Sequence, residues 1–474
     1  MSFLSPGFFL FLPAVLLTYR LLPRNGRCYL LLAASYFFYA CHNVWLLGLI
    51  FLTTGTSYLC ALGMEKARTP AGRKGMLALN AGICLGVLFL FKYLGFALDL
   101  GAGLARLLGF SLSSPGLSLL LPMGISFYVF QTMSYAIDVY RGTVPAERHL
   151  GYYALFVVFF PQLVAGPIER PGDLLPQLKA APSPTREDHL EGGKYLLRGY
   201  AKKVIAADFL AGFVDTAYAA PSAAGGAALT LATALFAAQI YCDFSGYSDI
   251  ALGCARLMGI RLSENFRQPY LARSPGDFWR RWHISLTRWF TDYVYIPLGG
   301  SRRGTLRRYR NILLVFLASG LWHGADGAFL IWGGLHGVFL ILDHMLFSRR
   351  ESLSAGIRCL RRTLTLAAVW FAWIFFRAGS LPLAGEVLRE IFTDFRPAEL
   401  LSGLSMRLTQ VPLLVLTVAL VPLLDRLPSL SGPPGSRRVR CAALGYFLLI
   451  TAVVFARFLV LSQGGDRAFI YFQF

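Results

Sequence analysis

The sequence predicts an all-α polytopic membrane protein, and three observations carry that prediction. Hydrophobic residues make up 56% of the 474 residues, and the mean hydropathy is +0.55. Charged residues account for 15% of the chain, whereas soluble domains carry about 25%. Apolar runs of roughly bilayer-spanning length recur from end to end. Because a backbone in lipid must satisfy its own hydrogen bonds, these runs are expected to be helices.

We expect about 11–12 transmembrane helices in one membrane-embedded domain, residues 1–474. The apolar segments fall near 3–19, 28–43, 44–62, 76–99, 119–140, 197–219, 227–255, 311–323, 327–345, 362–378, 409–426 and 441–461. Basic clusters separate them at Arg20–Arg27, Lys66–Lys74, Arg302–Arg310, Arg349–Arg362 and Arg437–Arg440. Basic loops are retained in the cytoplasm, and placing all five clusters there predicts that both termini are extracytoplasmic.

Composition excludes several other classes of protein. The net charge of +20 could indicate nucleic-acid binding, but the basic residues form short clusters between apolar runs. The eight cysteines are scattered singly, so neither a metal site nor a disulfide framework is expected. The N-terminus lacks a basic region and a small-residue cleavage site, which predicts a first spanning segment and not a removable signal.

Two stretches are too polar or too irregular for lipid-facing helices. Residues 160–170 (FPQLVAGPIER) contain two prolines, a glycine, Gln162 and Glu169. Irregular backbone at membrane depth requires burial in protein or a cavity, so we interpret 151–167 as re-entrant and Gln162 as cavity-lining. Residues 274–300 alternate aromatic with charged side chains and predict an amphipathic or re-entrant helix under the membrane domain.

His323 is the leading candidate for chemistry. It follows the basic cluster ending at Arg310 by 13 residues, which on a helix places it about 20 Å into a core of about 30 Å. Trp322 supplies a rigid wall beside it. A desolvated neutral imidazole suits a general base, and ionisable groups at membrane depth usually mark function. The alternative is a core histidine bonded to a backbone carbonyl.

The run Asp277-Phe278-Trp279-Arg280-Arg281-Trp282-His283 is the second candidate region. His283 has two readings, an interfacial residue that holds its helix in place or a second polar group at the mouth of the same cavity. Arginines bind phosphates through bidentate hydrogen bonds, so Arg280, Arg281 and Arg288 could dock a phosphorylated donor. Contact with solvent or lipid headgroups is the other interpretation. We place Asp277 and Trp279 beside them as cavity residues.

Buried carboxylates need partners, and Asp243 and Asp249 lie six residues apart in an apolar helix. We expect a structural ion-pair network, with the arginines of 267–288 as candidate partners, and we also count Asp243 among the candidate cavity residues. The same interpretation applies to Glu169 and Arg170. Asp326 and His336, which are near His323 in sequence, are expected to line the cavity or to pack.

The chain ends in an uncharged aromatic tail, Phe469-Ile470-Tyr471-Phe472-Gln473-Phe474. One account is an interfacial aromatic belt that anchors the last helix. The other is that the tail folds back and brings the Tyr471 hydroxyl to His323. A phenol beside a base can act as a nucleophile.

These segments together resemble the membrane-bound O-acyltransferase family, in the branch of the alginate O-acetyltransferase membrane subunits. The resemblance rests on the run 160–170, YCDFSGYSDIALG, NFRQPYLARSPGDFWRRWHISL, DYVYIPLGG, GLWHG, WIFFRA and the terminal FIYFQF. It covers most of residues 1–378, the motif-bearing core, and leaves 379–461 as additional helices and 462–474 as an extracytoplasmic tail. The region 380–440 carries no matching motif.

The resemblance implies a helical bundle around a through-membrane tunnel in the bacterial inner membrane. It implies acetyl-CoA as donor, no cofactor and no metal, a catalytic His323 helped by His283, and an acyl ester on Tyr471. A periplasmic esterase-like acetyltransferase and a polysaccharide such as alginate are the implied partners, beside membrane lipids. Two alternatives stay open, namely D-alanyl or peptidoglycan acyl transfer by the same chemistry, and a polysaccharide transporter without chemistry.

Overall fold

The computed structural model describes residues 1–110, 122–164, 166–347 and 354–427, with 442, 445, 446, 448–453, 455 and 469. Throughout these residues every regular element is helical, which confirms the all-α prediction. The chain divides into two compact units, Met1–Gly192 with Ala251–Ser263, and Gly193–Ile250 with Glu264–Phe474. The prediction of one membrane-embedded domain is not tested by this division.

The helices that begin in the first unit are α1 (Pro6–Leu21), α2 (Arg24–Ala40), α3 (Leu47–Lys66), α4 (Pro70–Leu88), α5 (Leu94–Leu107), α6 (Ile125–Arg141), α7 (Leu150–Val158), α8 (Phe160–Leu163), α9 (Pro171–Ala180) and α10 (Arg186–Tyr200). Those that begin in the second unit are α11 (Asp208–Ala219), α12 (Pro221–Leu257), α13 (Pro275–Trp279), α14 (Ile284–Phe290), α15 (Thr305–His323), α16 (Gly327–Phe347), α17 (Ala355–Ala378), α18 (Leu381–Thr393), α19 (Leu400–Gly403) and α20 (Val411–Leu424). Short 3₁₀ or π-helical segments lie at Val44–Leu46, Phe89–Tyr93, Ala201–Ala207, Pro269–Leu271, Thr291–Tyr295, Pro397–Glu399 and Leu408–Gln410.

Five helices among the described residues are long and apolar enough to cross a bilayer, or six if one bent pair forms a single span. The five are Val44–Lys66, Pro70–Leu107, Pro221–Leu257, Gly327–Phe347 and Ala355–Ala378, and the pair is Pro397–Gly403 with Leu408–Leu424. The chain is therefore a multi-pass helical membrane protein. Other predicted spans are shorter or broken, or reach outside the described residues.

The stretch 151–167 is irregular, as its prolines and glycine predicted. Helix α7 ends at Val158, and Phe159 has φ −49° and ψ 109°, which breaks the helix before α8. The Ser35 hydroxyl accepts a hydrogen bond of 3.1 Å from the Phe160 N–H. A buried backbone donor freed by a break needs such a partner, so α2 stabilises the interruption.

An ion-pair network lies inside the second unit, but its cations differ from those expected. Arg198 donates to Asp249 through Nε at 2.7 Å, and Lys202 donates to the same carboxylate at 3.0 Å. Lys203 binds Asp243. The cations that reach these carboxylates therefore come from α10 and the π-helical segment after it, whereas the sequence had suggested the arginines of 267–288.

The network also includes the end of α20. Lys202 Nζ lies 2.6 Å from Asp425 Oδ1, and the Tyr241 hydroxyl donates to Asp425 Oδ2 at 2.6 Å. Lys202 is 1% exposed. A buried cation of this kind costs several kcal/mol unless carboxylates compensate it. The end of α20 is therefore held to the π-helical segment Ala201–Ala207 by charge, and to α12 by the Tyr241 hydrogen bond.

Helices α15 and α16 form a tight antiparallel hairpin because glycines face each other. A Cβ atom at Gly320 would lie 2.2 Å from the Phe329 carbonyl oxygen, and one at Gly333 would lie 2.2 Å from that of Phe316. The carboxylate of Asp326 caps α16 by accepting from the Ala328 N–H at 2.8 Å. Asp326 is therefore a helix cap, which the packing interpretation from sequence did not specify.

Candidate active site

The two histidines singled out from the sequence meet in the second unit. The ring centroids of His283 and His323 are 6.4 Å apart. Both side chains are buried, at 1% and 2% exposure. Two imidazoles this close and this deep form a candidate catalytic pair, since histidine is the side chain best suited to accept and return a proton near neutral pH.

His323 is the last residue of α15 and sits among aromatic rings. Trp322 and Trp332 meet its ring edge to face, each with centroids 4.9 Å apart, and Phe376 lies 5.4 Å away. A Cβ atom at Gly324, the next residue, would lie 2.1 Å from the Phe329 ring. The glycines of GLWHG thus let helix and ring approach closely enough to enclose the imidazole.

His283 sits at a strained point of the backbone, with φ 42° and ψ 55° immediately before α14. The left-handed region is costly for residues other than glycine, and such strain concentrates at functional sites. Its ring packs edge to face on Phe244, with centroids 4.7 Å apart. Burial lowers the pKa of His283 to about 3, so the ring is neutral at physiological pH.

Asn265 holds this strained turn in place. Its carbonyl oxygen accepts from the Ile284 N–H at 2.9 Å. Its side-chain oxygen accepts from the Ser285 hydroxyl at 2.7 Å and from the Ser285 N–H at 3.3 Å. Its amide nitrogen donates to Ser248 on α12 at 3.4 Å. Asn265 therefore connects α12 to the backbone that directly follows His283.

Arg281, predicted to dock the donor, and Asp277, predicted as a cavity residue beside it, bind each other. Arg281 Nε donates to Asp277 Oδ1 at 3.0 Å, and Arg281 Nη1 donates to the Arg267 carbonyl oxygen at 3.3 Å. Partial burial opposes ionisation of Asp277, yet the Arg273 N–H and the Arg281 guanidinium hold its pKa below the usual range. This pair fastens α13 to the segment before it, which is a positioning role.

Trp279 lies on the buried face of α13. Its indole Nε1 donates to His336 Nδ1 at 3.3 Å, and its ring meets Trp332 with centroids 5.8 Å apart. Trp332 thus separates His336 from His323, with centroids 5.0 Å and 4.9 Å away. Trp279 lies next to the wall of the histidine site, and its role as a cavity residue stays a prediction.

The remaining arginines face outward. Arg280 lies at the edge of a pocket of about 330 Å³, lined by Arg273, Ser274, Asp277, Arg280, Arg358 and Arg361. Arg288 is exposed on α14. The pocket therefore gathers one of the three predicted donor-site arginines together with three that the sequence did not single out.

The chain's terminal motif reaches the same region through Phe469. Its fully buried ring lies 5.6 Å from that of Phe244 and 4.5 Å from that of Tyr247. Phe244 is the ring that packs on His283. Tyr471 itself lies outside the described residues.

Two predicted cavity residues have other surroundings. Asp243 is buried on α12, where Lys203 compensates its charge. Gln162 belongs to the first unit and is buried in α8, with its amide nitrogen donating to the Phe156 carbonyl oxygen at 2.6 Å. In the first unit Glu169 is buried, which raises its pKa to about 7 although the Ser263 N–H donates to it at 2.6 Å.

Sequence reasoning missed four residues that shape the histidine site, namely Asn265, Trp332, Trp373 and Phe376. Trp373 packs on Trp332 with centroids 6.1 Å apart, and both Trp373 and Phe376 belong to the WIFFRA segment. That segment was recognised as a motif but no contact was assigned to it. An aromatic residue in an apolar helix, or a single amide in a loop, gives no periodic signal that separates a site wall from ordinary core.

The sequence profile of the membrane-bound O-acyltransferase family matches residues 147–381, the part that carries both histidines. The probable alginate O-acetylase AlgI of Pseudomonas putida is 39% identical over 98% of this chain and 98% of its own length. The chain belongs to the membrane-bound O-acyltransferase family. It is an O-acyltransferase of the branch that contains the alginate O-acetylases.

Two further relatives of this membrane-bound O-acyltransferase widen the comparison. The peptidoglycan O-acetyltransferase of Helicobacter pylori is 35% identical over 80% of this chain and 77% of its own length. The teichoic acid D-alanyltransferase of Streptococcus thermophilus is 28% identical over 50% of this chain and 60% of its own length. These relatives, as named, place acyl groups on cell-envelope polymers.

Proposed function

We propose that the protein transfers an acetyl group from cytosolic acetyl-CoA, across the inner membrane, to hydroxyl groups of an extracytoplasmic polysaccharide. His323 is the general base, His283 assists it, and Tyr471 carries the acetyl group as an ester. The observation that carries the proposal is the packing of the Phe469 ring on Phe244, whose ring also packs on His283.

The position of Phe469 supports the carrier role because Tyr471 follows two residues later. Two extended residues span at most about 7 Å, and the tyrosine side chain adds further reach. The chain of contacts from Phe469 through Phe244 to His283 has centroid steps of 5.6 and 4.7 Å, and His323 is 6.4 Å further. This anchor supports our placing the Tyr471 hydroxyl at the histidine pair.

The first step forms the ester. His323 accepts the phenol proton of Tyr471 while the phenol oxygen attacks the thioester carbonyl carbon, and the C–S bond breaks. The leaving thiolate takes the proton back from the imidazolium and departs as free CoA. In the second step an acceptor hydroxyl attacks the aryl ester and releases the phenol. Each transfer runs from a more reactive to a less reactive acyl group, so no ATP is needed.

The names of the relatives support acetyl as the group and a polysaccharide as the acceptor. The alginate O-acetylase relatives favour alginate or a similar exopolysaccharide, received directly or through a periplasmic esterase-like acetyltransferase. The Helicobacter pylori relative, 35% identical over most of this chain, favours peptidoglycan as a second acceptor. D-alanyl transfer has weaker support, since the teichoic acid D-alanyltransferase is only 28% identical to this chain.

The test is mass spectrometry of the C-terminal peptide after membranes are incubated with radiolabelled acetyl-CoA. We expect an acetylated Tyr471 in the wild-type protein, and we expect it to vanish in His323→Ala. Loss of a general base costs about 10²- to 10⁴-fold in rate, enough to remove the adduct on the time scale of minutes. His344→Ala is the control. That histidine lies near the end of α16, away from His323, and binds Arg308 and Tyr309 of α15.

Two outcomes contradict the proposal. Full acetylation of the acceptor by Tyr471→Phe removes the carrier step. Absence of label on protein and acceptor under all conditions removes acetyl transfer and favours another acyl group or transport.

A further inference from the structure

The first unit buries polar groups in its interior that the protein itself does not bond. Four of them, one on each of four helices, have no hydrogen-bond partner among the described residues, namely the Tyr39 hydroxyl of α2, the Thr54 hydroxyl of α3, the Asn80 amide nitrogen of α4 and the Tyr128 hydroxyl of α6. Each of these side chains is at most 3% exposed. Because about nine in ten buried polar groups have a partner, four unmet groups in one unit need an explanation.

Direct contacts bring three of these helices together at one place. The Cys84 thiol of α4 lies 3.8 Å from the Asn80 side-chain oxygen and 3.5 Å from the Thr132 hydroxyl of α6. The Ser57 hydroxyl of α3 donates to the Thr132 carbonyl oxygen at 3.1 Å. Tyr128 lies one turn before Thr132, on the same face of α6. Helices α3, α4 and α6 therefore meet around polar side chains.

The remaining two unmet groups lie at the same place. Thr54 is three residues before Ser57 and so lies on the same face of α3. Tyr39 of α2 and Cys84 of α4 are both close enough to the Tyr128 hydroxyl to act on it electrostatically. The side chains of Tyr39, Thr54, Asn80 and Tyr128 therefore form one group, which we call the polar cluster.

The polar cluster belongs to the middle of two spanning helices. Thr54 lies 12 residues before the end of the span Val44–Lys66, and Asn80 lies 10 residues after the start of the span Pro70–Leu107. At 1.5 Å per residue these positions are about 18 and 15 Å from the loop that connects the two helices, in a hydrocarbon core of about 30 Å. Lipid offers no hydrogen bonds at this depth, so any partner must be held inside the protein.

The chemistry of the polar cluster fits water and not an ion. Its groups are hydroxyls and an amide, beside the Cys84 thiol, and all of them are neutral. A buried ion needs an opposite charge to compensate its desolvation, whereas water is neutral and both donates and accepts. A buried water makes about three hydrogen bonds to otherwise unmet polar groups, so the polar cluster suits about two water molecules.

We propose that the polar cluster is an internal hydration site, in which bound water molecules join α2, α3, α4 and α6. Water-mediated hydrogen bonds are nearly as favourable as direct ones, so the bound water stabilises the packing of these helices. The inference concerns the interior of the first unit and does not rest on the proposed function.

The first experiment compares Tyr128→Phe with wild type by thermal unfolding in detergent, in buffers without glycerol or other polyols. If water bonds the Tyr128 hydroxyl, its removal loses a hydrogen bond, and we expect Tm to fall by about 1–2 °C. If the hydroxyl is unmet, its removal relieves an unfavourable burial, and Tm stays the same or rises. Tyr135→Phe calibrates the loss of a direct bond, because that buried hydroxyl on the same helix accepts from the Glu147 N–H at 2.8 Å.

The second experiment detects the water by X-ray radiolysis footprinting of the full-length protein. Hydroxyl radicals form from bound water in the beam and oxidise the side chains beside it, even where bulk solvent does not reach. We expect Tyr39 and Tyr128 to be oxidised several-fold faster than Tyr218. Tyr218 is the matched control, since it is also buried but its hydroxyl bonds directly to the Thr233 hydroxyl at 2.7 Å.

Either of two results would overturn the inference. One is a Tm of Tyr128→Phe equal to or above that of wild type, and the other is oxidation of Tyr128 no faster than that of Tyr218. A lower Tm together with faster oxidation supports the hydration site. Neither measurement requires acetyl transfer, so the outcome is separate from that of the proposed function.

Discussion

A single polar residue, Asn265, positions the backbone that carries His283. Asn265 supplies three hydrogen-bonding groups to its surroundings, two of which bind the backbone beside His283. The strain at His283 persists only because such neighbours over-determine the turn. The side chain of Asn265 therefore helps to fix the backbone next to the imidazole.

Asn265→Ala tests this at the scale of one residue. Removing the amide leaves the Ser285 donors unmet in a buried site, which should lower the free energy of unfolding by about 1–3 kcal/mol. We expect kcat to fall while KM for the donor changes little, because Asn265 acts on the turn at His283 and is not among the residues predicted to bind the donor. Thermal unfolding in detergent and the acetyl-transfer assay measure the two effects.

Ser285→Ala is the graded control, since it removes only one of the bonds to the Asn265 oxygen. A loss of kcat in Ser285→Ala as large as that in Asn265→Ala would show that Asn265 has no special part in orienting His283.

Glycine positions decide how the elements pack around the site. The α15–α16 hairpin places His323 against Trp332 because Gly320 and Gly333 allow backbone contact between the two helices. Small residues at helix interfaces allow this close approach in membranes, where no hydrophobic force draws helices together.

The neighbouring glycines Gly333 and Gly334 provide a matched test. A Cβ atom at Gly333 would meet the Phe316 carbonyl oxygen at 2.2 Å, whereas one at Gly334 would meet Leu317 Cδ2 at an ordinary 3.6 Å. We expect Gly333→Ala to destabilise by about 1–3 kcal/mol or more, because the helices must separate, and to reduce acetyl transfer. Gly334→Ala should be neutral or slightly stabilising, since alanine favours helix.

Thermal unfolding of the two variants in the same detergent measures the difference. Equal Tm values for both would contradict the account of the hairpin.

At the scale of the whole molecule, the region after the family profile is built into the second unit. The profile ends at residue 381, yet Asp425 on the far side of that boundary binds both Lys202 and Tyr241. Phe469 packs still further along the chain on Phe244 and Tyr247. The C-terminal part is thus attached to the helices that carry the site.

Asp425→Ala tests this attachment. It leaves the buried Lys202 with one carboxylate, Asp249, instead of two, and breaking a buried ion pair typically costs about 3–5 kcal/mol. We expect a large fall in Tm and faster proteolysis of the C-terminal part. Arg426→Ala, at the exposed neighbouring position, is the control and should leave both unchanged. If Asp425→Ala changes neither Tm nor the rate of proteolysis, α20 is held by packing alone.

Features that depend on one segment of the chain were predicted from the sequence better than contacts between helices were. Hydropathy predicted the helical class because every spanning segment must satisfy its own backbone hydrogen bonds. The prolines of 160–170 predicted irregular backbone, and the structure has a break at Phe159, one residue before that stretch. The depth of His323 in the membrane stays a prediction from its distance along one helix. The cations that bind Asp249 could not be found in this way, since charge pairing between helices depends on packing that no spacing encodes. Asn265 was missed for the same reason.

The burial of Phe469 has a kinetic consequence. Because the proposed carrier belongs to the same polypeptide as the base, the two meet at an effective concentration set by the fold, which for well-oriented groups far exceeds any concentration of a free acceptor. Loading of the tyrosine should then be first order, with a rate constant that stays the same when the protein is diluted. A carrier supplied by a second molecule would slow in proportion to dilution.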